Sequence, residues 1–260
     1  MPKKKTRAST SEEARRYRQA GHDDAREFAI SIGMSADYQN DQQAKKDVID
    51  LNGDAHSVKS GAKKWQIFLY RADRFKNDPG FAVMNGIGEL LVACINSFPS
   101  TYEEYLLDKI SSKVKLQIPM KALFEKLSDA RRLRAFFAKS IFNGTEVNYL
   151  TIKDDEHFHV FWREDVLEVF VENIEVKNSE KRQQNQFDAQ KVLFRVDSKN
   201  LAEVEMRNDS PQHYREIRFN MLKPSATKLL RASLGVPVRF SKKVLVYGKA
   251  INKFKKHKKI

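Results

Sequence analysis

One segment constrains this chain more than any other. It reads Asp47-Val-Ile-Asp-Leu-Asn-Gly-Asp-Ala-His-Ser-Val-Lys59-Ser-Gly-Ala-Lys-Lys-Trp-Gln66-Ile-Phe-Leu-Tyr70. Two short apolar runs flank Asn52-Gly53, which predicts a tight hairpin with both of those residues at positive φ. The hairpin brings Asp47 on one strand beside Lys59 on the next. Ser60-Gly61 breaks the second strand. A helix is expected from about Ala62 to Phe75, ending before Asp78-Pro79-Gly80, with Gln66 and Tyr70 one turn apart on a shared face. A carboxylate beside a lysine at a strand edge suits a divalent cation and an activated water.

Upstream, Ser11-Glu-Glu supplies an N-cap and acids for a first turn. Ala25, Phe28, Ala29 and Ile32 recur at helical spacing, with Gly33 as the expected C-cap. Glu27 lies on this helix, either facing solvent or reaching the hairpin.

This segment resembles the core of the PD-(D/E)xK nucleases, which include many type II restriction endonucleases and the lambda-exonuclease/RecB-like nucleases. The match runs over roughly residues 11–78: Asp47, then Ser57-Val58-Lys59, then Gln66-Ile-Phe-Leu-Tyr70. Ser57 stands where the pattern has an acid, and Lys46 stands where it has proline before Asp47. The resemblance implies catalytic roles for Asp47, Lys59, Glu27 and Gln66, with Mg²⁺ held by Asp47 and Glu27. Glu27 then replaces the acid absent at Ser57, because Asp50 and Asp54 fall on the wrong strand face. Tyr70 is expected to touch DNA phosphate.

The 260 residues carry 48 Lys+Arg against 34 Asp+Glu, a net charge of +14, which favours a polyanionic partner. Basic residues concentrate in tails at 1–10 and 249–260. Cys94 is the only cysteine, so neither a disulfide framework nor a four-cysteine metal site forms within the chain. Its apolar surroundings make it a core residue. Neither a secretory apolar region nor a membrane-length run is present, and a cytoplasmic setting is expected.

Residues 84–142 read as largely helical. Thr101-Tyr-Glu-Glu forms a capping box, and a long helix is expected to start at Pro119 and to carry Arg131, Arg132 and Arg134. Residues 147–152 and 157–161 form a hairpin, Glu164 onward a helix, and 177–188 a loop. Strands at 191–196 and 201–207 lead through Asn208-Asp-Ser-Pro211 to a strand at 213–219. The tip of this last hairpin gathers Arg207, His213, Tyr214, Arg215 and Arg218. It is either a DNA-reading ribbon or an edge hairpin with a solvated face. Glu203, Glu205 and Arg207 share one strand face, as in a second metal site or an ordinary half-exposed strand. His157 and His159 do likewise.

The expected architecture is α/β (mixed α+β). It has a restriction-endonuclease-like core of helix, β-hairpin and helix (11–83), and a helical, then β-rich, DNA-recognition region (84–248). The expected function is Mg²⁺-dependent, sequence-specific cleavage of double-stranded DNA by a type II restriction enzyme. A possible homodimer and functional pairing with a DNA methyltransferase go with that expectation. The alternatives are a nucleic-acid-binding protein without cleavage and a RecB-like DNA repair nuclease.

Overall fold

The computed structural model describes residues 11–35, 38, 45–61, 63–181, 183–184 and 186–254. The expected tail at 1–10, and residues 255–260 of the other tail, lie outside the described residues.

The chain mixes helices and strands throughout. It begins with α1 (Ser11–Ser31), β1 (Val48–Ile49), β2 (Ala55–Lys59) and β3 (Lys64–Tyr70). A helical stretch follows: α2 (Ala72–Asn77), α3 (Pro79–Ala82), α4 (Ile87–Asn96), α5 (Tyr102–Leu107), α6 (Lys109–Leu127) and α7 (Ala130–Phe142). Then come β4 (Tyr149–Asp154), β5 (His157–Trp162), α8 (Arg163–Asn173), β6 (Glu175–Asn178), β7 (Lys191–Val196), β8 (Lys199–Arg207) and β9 (Glu216–Leu222). The described chain closes with α9 (Lys223–Leu234), β10 (Val238–Arg239), β11 (Val244–Val246) and α10 (Ala250–Lys253).

Two sheets organise these elements. A mixed six-stranded sheet runs β1-β2-β4-β5-β11-β10, and an antiparallel five-stranded sheet runs β3-β9-β8-β7-β6. Both join strands from before residue 83 to strands far beyond it: β2 pairs with β4, and β3 with β9. One large apolar cluster holds residues of both sheets, among them Leu150, Phe161, Phe194 and Phe219, together with Leu91, Leu123 and Phe137 from the helices. A smaller cluster lies under α1 and α10, where Phe28, Tyr149, Phe158, Val246 and Phe254 are buried. The expected tail at 249 therefore begins as packed structure.

The β1–β2 turn is built differently from the two-residue form. Only Gly53 takes a positive φ in it, at 82°. The turn spans Asp50 to Gly53, with the Gly53 amide donating to the Asp50 carbonyl. The Asp50 carboxylate accepts from the amides of Asn52 (2.8 Å) and Asp54 (3.0 Å), so Asp50 holds the loop and is no catalytic acid.

The helix expected at 62–75 is instead β3 followed by the short α2. Six registered pairs with β9 outweigh the local helical pattern. The helix expected to start at Pro119 begins at Lys109 and contains Pro119 in its interior. Pro119 lacks the N–H that would bond back one turn, and burial of Leu116, Met120 and Leu123 on either side of it holds the helix together. Asp129 ends that run by capping α7 through the Arg132 amide, at 3.0 Å. Thr101 and Glu104 form the expected capping box.

Candidate active site

Asp47 immediately precedes β1, and Lys59 ends β2. Oδ2 of Asp47 accepts the Val58 amide at 2.7 Å and lies 3.5 Å from the Lys59 Nζ and 3.4 Å from the Ser57 hydroxyl. The backbone bond fixes the carboxylate against β2. Both side chains remain partly open to solvent, at 35% for Asp47 and 23% for Lys59.

Alternation along β2 decides what surrounds this pair. His56 points away from Lys59, to the face covered by α1 and α10, where it meets the rings of Phe28, Tyr149 and Phe254. Burial lowers the His56 imidazole pKa, while Asp50 at 3.5 Å opposes that shift. Thr151 reaches His56 on that face, and Lys153, two residues along β4, shares it. Lys153 is where Glu27 is held.

Glu27 accepts from Lys153 at 2.6 Å and from Lys243, and these two lysines hold its carboxyl below the usual range. It therefore lies across the sheet from Asp47 and Lys59. The assignment of Glu27 as a metal ligand and catalytic acid is corrected: it ties α1 to β4 and to the β10–β11 hairpin. Asp24 adds a second bond to Lys153, at 2.6 Å.

Gln66 and Tyr70 are also placed otherwise than expected. Both lie on β3, and the register with β9 shifts between Gln66 and Phe68. Gln66 pairs with Asn220 and is exposed, whereas Tyr70 pairs with Ile217 and stacks on Phe68 at 4.9 Å. The bulge turns the two side chains to opposite faces, so they share no surface with each other.

The Asp47 corner is dominated by cations that the sequence did not single out. Lys45 donates to the Ser140 carbonyl, and its amine is brought down to about 7 by burial first and then by the charges of Lys59, Lys139 and Arg74. Lys139 bonds Asp78 at 2.8 Å, with Arg74 at 3.5 Å from the same carboxyl. Burial pushes Asp78 up, but Lys139, the Gly80 amide and Arg74 together pull it below its ordinary value. Asp78-Pro79 is a helix-start signal, since Asp78 caps α3 with proline in the first turn. Its partnership with Lys139 depends on α7 and left no local trace.

Among the described residues no group of three or more His, Cys, Asp or Glu side chains is placed to hold a metal ion. Among the described residues Asp47 is the one carboxylate beside Lys59, Asp78 being taken up by Lys139 and Arg74, and a single carboxylate fits an ion that takes its other ligands from water and phosphate oxygens.

The β8–β9 hairpin is largely self-satisfied. Arg218 pairs with Glu205, Arg207 with Asp209 at 2.8 Å, and His213 with Glu216 at 3.1 Å. Arg215 sits at φ 54° and donates to Asn96 at 2.9 Å. Tyr214 is buried, its hydroxyl donating to the Pro99 carbonyl at 2.8 Å. The DNA-contact assignment is therefore corrected for Tyr214, which ties the hairpin to the α4–α5 loop. Glu203 and Glu205 share a face, as expected, but both are bound to Lys191. His159 is buried, while His157 lies at a small surface cleft with Glu27 and Lys243. Cys94 is fully buried and its thiol is pushed up to about 12 by that burial. No described helix is long and apolar enough to cross a membrane.

No protein-family model, curated protein or solved structure matches this chain.

Proposed function

We propose that the chain hydrolyses phosphodiester bonds in double-stranded DNA, as a Mg²⁺-dependent endonuclease of the type II restriction kind. One observation carries this reading: the Asp47 carboxylate is fixed by the Val58 amide and stands 3.5 Å from the Lys59 amine at an accessible strand end. Mg²⁺ bound by Asp47 would supply Lewis acidity at the phosphate. Lys59 orients the attacking water and steadies the charged phosphate, the proton of that water passing to solvent, while Lys45 and Lys139 offset the charge of the phosphate. The water oxygen bonds to phosphorus, the bond from phosphorus to the leaving oxygen breaks, and that oxygen leaves with a proton from solvent. A restriction role brings with it a cytoplasmic setting, pairing with a DNA methyltransferase and action as a homodimer.

A second reading is a nucleic-acid-binding protein without cleavage. It is favoured by Ser57 in the position of an acid and by the single carboxylate at Lys59. Plasmid DNA incubated with the purified protein, with Mg²⁺ or with EDTA, separates the two. Discrete Mg²⁺-dependent fragments support the restriction enzyme. Intact plasmid with a gel shift favours the second reading.

A further inference from the structure

The outer face of the antiparallel sheet carries an open cleft of about 760 Å³ between β6–β8, the β6–β7 connection and α6. Five cations line it (Lys113, Lys177, Lys181, Lys191 and Arg195) against two acids, Glu180 and Glu203. Lys191 is matched by Glu203 and Glu205, and Lys177 by Glu175. The side chains of Lys113, Lys181 and Arg195 make no ion pair among the described residues, although the Lys181 backbone amide donates to the Asp188 carboxylate at 2.7 Å.

Strand geometry arranges these charges. Lys191, Leu193 and Arg195 alternate onto one face of β7, so Lys191 and Arg195 are about 13 Å apart along the strand. Lys177 of β6 stands beside Leu193, between them. The result is a zigzag of positive charge across two strands. A second observation points to a missing partner: Nε of Arg195 is buried without a hydrogen-bond partner, although its NH2 group donates to the Ser198 carbonyl. Ammonium and guanidinium charge left unmatched in an open cleft favours an anionic acceptor.

We propose that this cleft binds the sugar–phosphate backbone of a nucleic acid, with Lys113, Lys181 and Arg195 contacting phosphates. The site is separate from the Asp47 corner and holds whether or not that corner cuts.

The test is fluorescence anisotropy with a labelled 30-base-pair duplex and a 30-nucleotide single strand, in EDTA, at several salt concentrations. The variant Lys113→Gln/Lys181→Gln/Arg195→Gln is compared with a control that removes equal charge from exposed positions elsewhere, Lys76→Gln/Lys121→Gln/Lys228→Gln. The cleft variant is expected to bind at least about tenfold more weakly, with its log–log salt slope reduced by roughly two to three units. The control is expected to lose markedly less. Equal losses in both, or no loss in the cleft variant, overturn the proposal. Lys181→Glu, at an exposed position, guards against misfolding of the triple variant and should by itself lower the slope by about one or more. The ratio of duplex to single-strand affinity identifies which backbone the cleft prefers. An intact plasmid combined with cleft-dependent binding would sink the nuclease reading and leave this site standing.

Discussion

Nδ1 of His159 lies 2.8 Å from the hydroxyl of Tyr247, joining β5 to the segment just after β11 inside the main core. Burial first, then the charges of Arg231, His157 and Lys223, bring the His159 imidazole down to about 4, with Asp154 opposing them. The unfolded chain takes up a proton here below about pH 6.5, whereas the folded chain does so only near pH 4. Stability at this site is therefore present above about pH 6.5 and is lost as pH falls from there toward 4. Urea denaturation at pH 7.5 and pH 5 should differ by on the order of 2 kcal/mol from this residue. In His159→Gln that component should vanish; an unchanged difference would assign it to other groups, His56 first.

Asp47→Asn and Lys59→Met should each lower Mg²⁺-dependent DNA cleavage by at least about a hundredfold. Anisotropy in EDTA should show nearly unchanged DNA affinity, because neither change touches the cation-lined cleft. Wild-type cutting by either variant would remove this corner from the chemistry.

Glu27→Gln should leave the Mg²⁺ dependence of cleavage where it was. It weakens the bonds to Lys153 and Lys243, and because the site is partly solvated the loss of stability should be about 1 kcal/mol or less. A raised Mg²⁺ requirement with unchanged melting would return Glu27 to the metal site.

Tyr214→Phe removes the bond to the Pro99 carbonyl while keeping the ring packing against Tyr102 and Tyr105. A loss of about 1–2 kcal/mol is expected, with DNA affinity unaltered. A selective fall in DNA binding at constant stability would make the hydroxyl a DNA contact after all.

Asp78→Asn should be the most destabilising of these changes. It leaves Lys139 without its carboxylate in a poorly solvated position, at a cost of about 3 kcal/mol or more. Double substitution of Asp78→Asn with Lys139→Met should recover part of it; a purely additive loss would show that the pair is not coupled.

What the sequence disclosed was local. The Thr101 capping box, the β4–β5 hairpin and the first hairpin each depend on residues within a few positions of one another. The strand at Lys64–Tyr70 did not announce itself, because its partner is β9 and its apolar residues also fit a helix. Glu27 was assigned through the family resemblance, as the acid on the helix before the first strand. The face of a sheet on which α1 settles is fixed by Phe28 packing against His56 and Phe158, which no local pattern encodes. Lys45 and Lys139 escaped notice for the same reason, since the charge of their corner exists only once α7 lies beside β1. The cleft escaped because Lys177 and Lys181 fall in a stretch that read as a loop, while Lys113 on α6 and Lys191 and Arg195 on β7 meet them only once β6 pairs with β7.

The pairing of Lys64 with Leu222 sets a timetable for synthesis. The partner of β3 leaves the ribosome roughly 160 residues later, a delay on the order of 10–30 s at ordinary elongation rates. Throughout that interval Trp65, Phe68 and Tyr70 form an apolar strand with an unmatched edge. A fragment ending near residue 83, which keeps that edge unmatched, should therefore aggregate rather than fold.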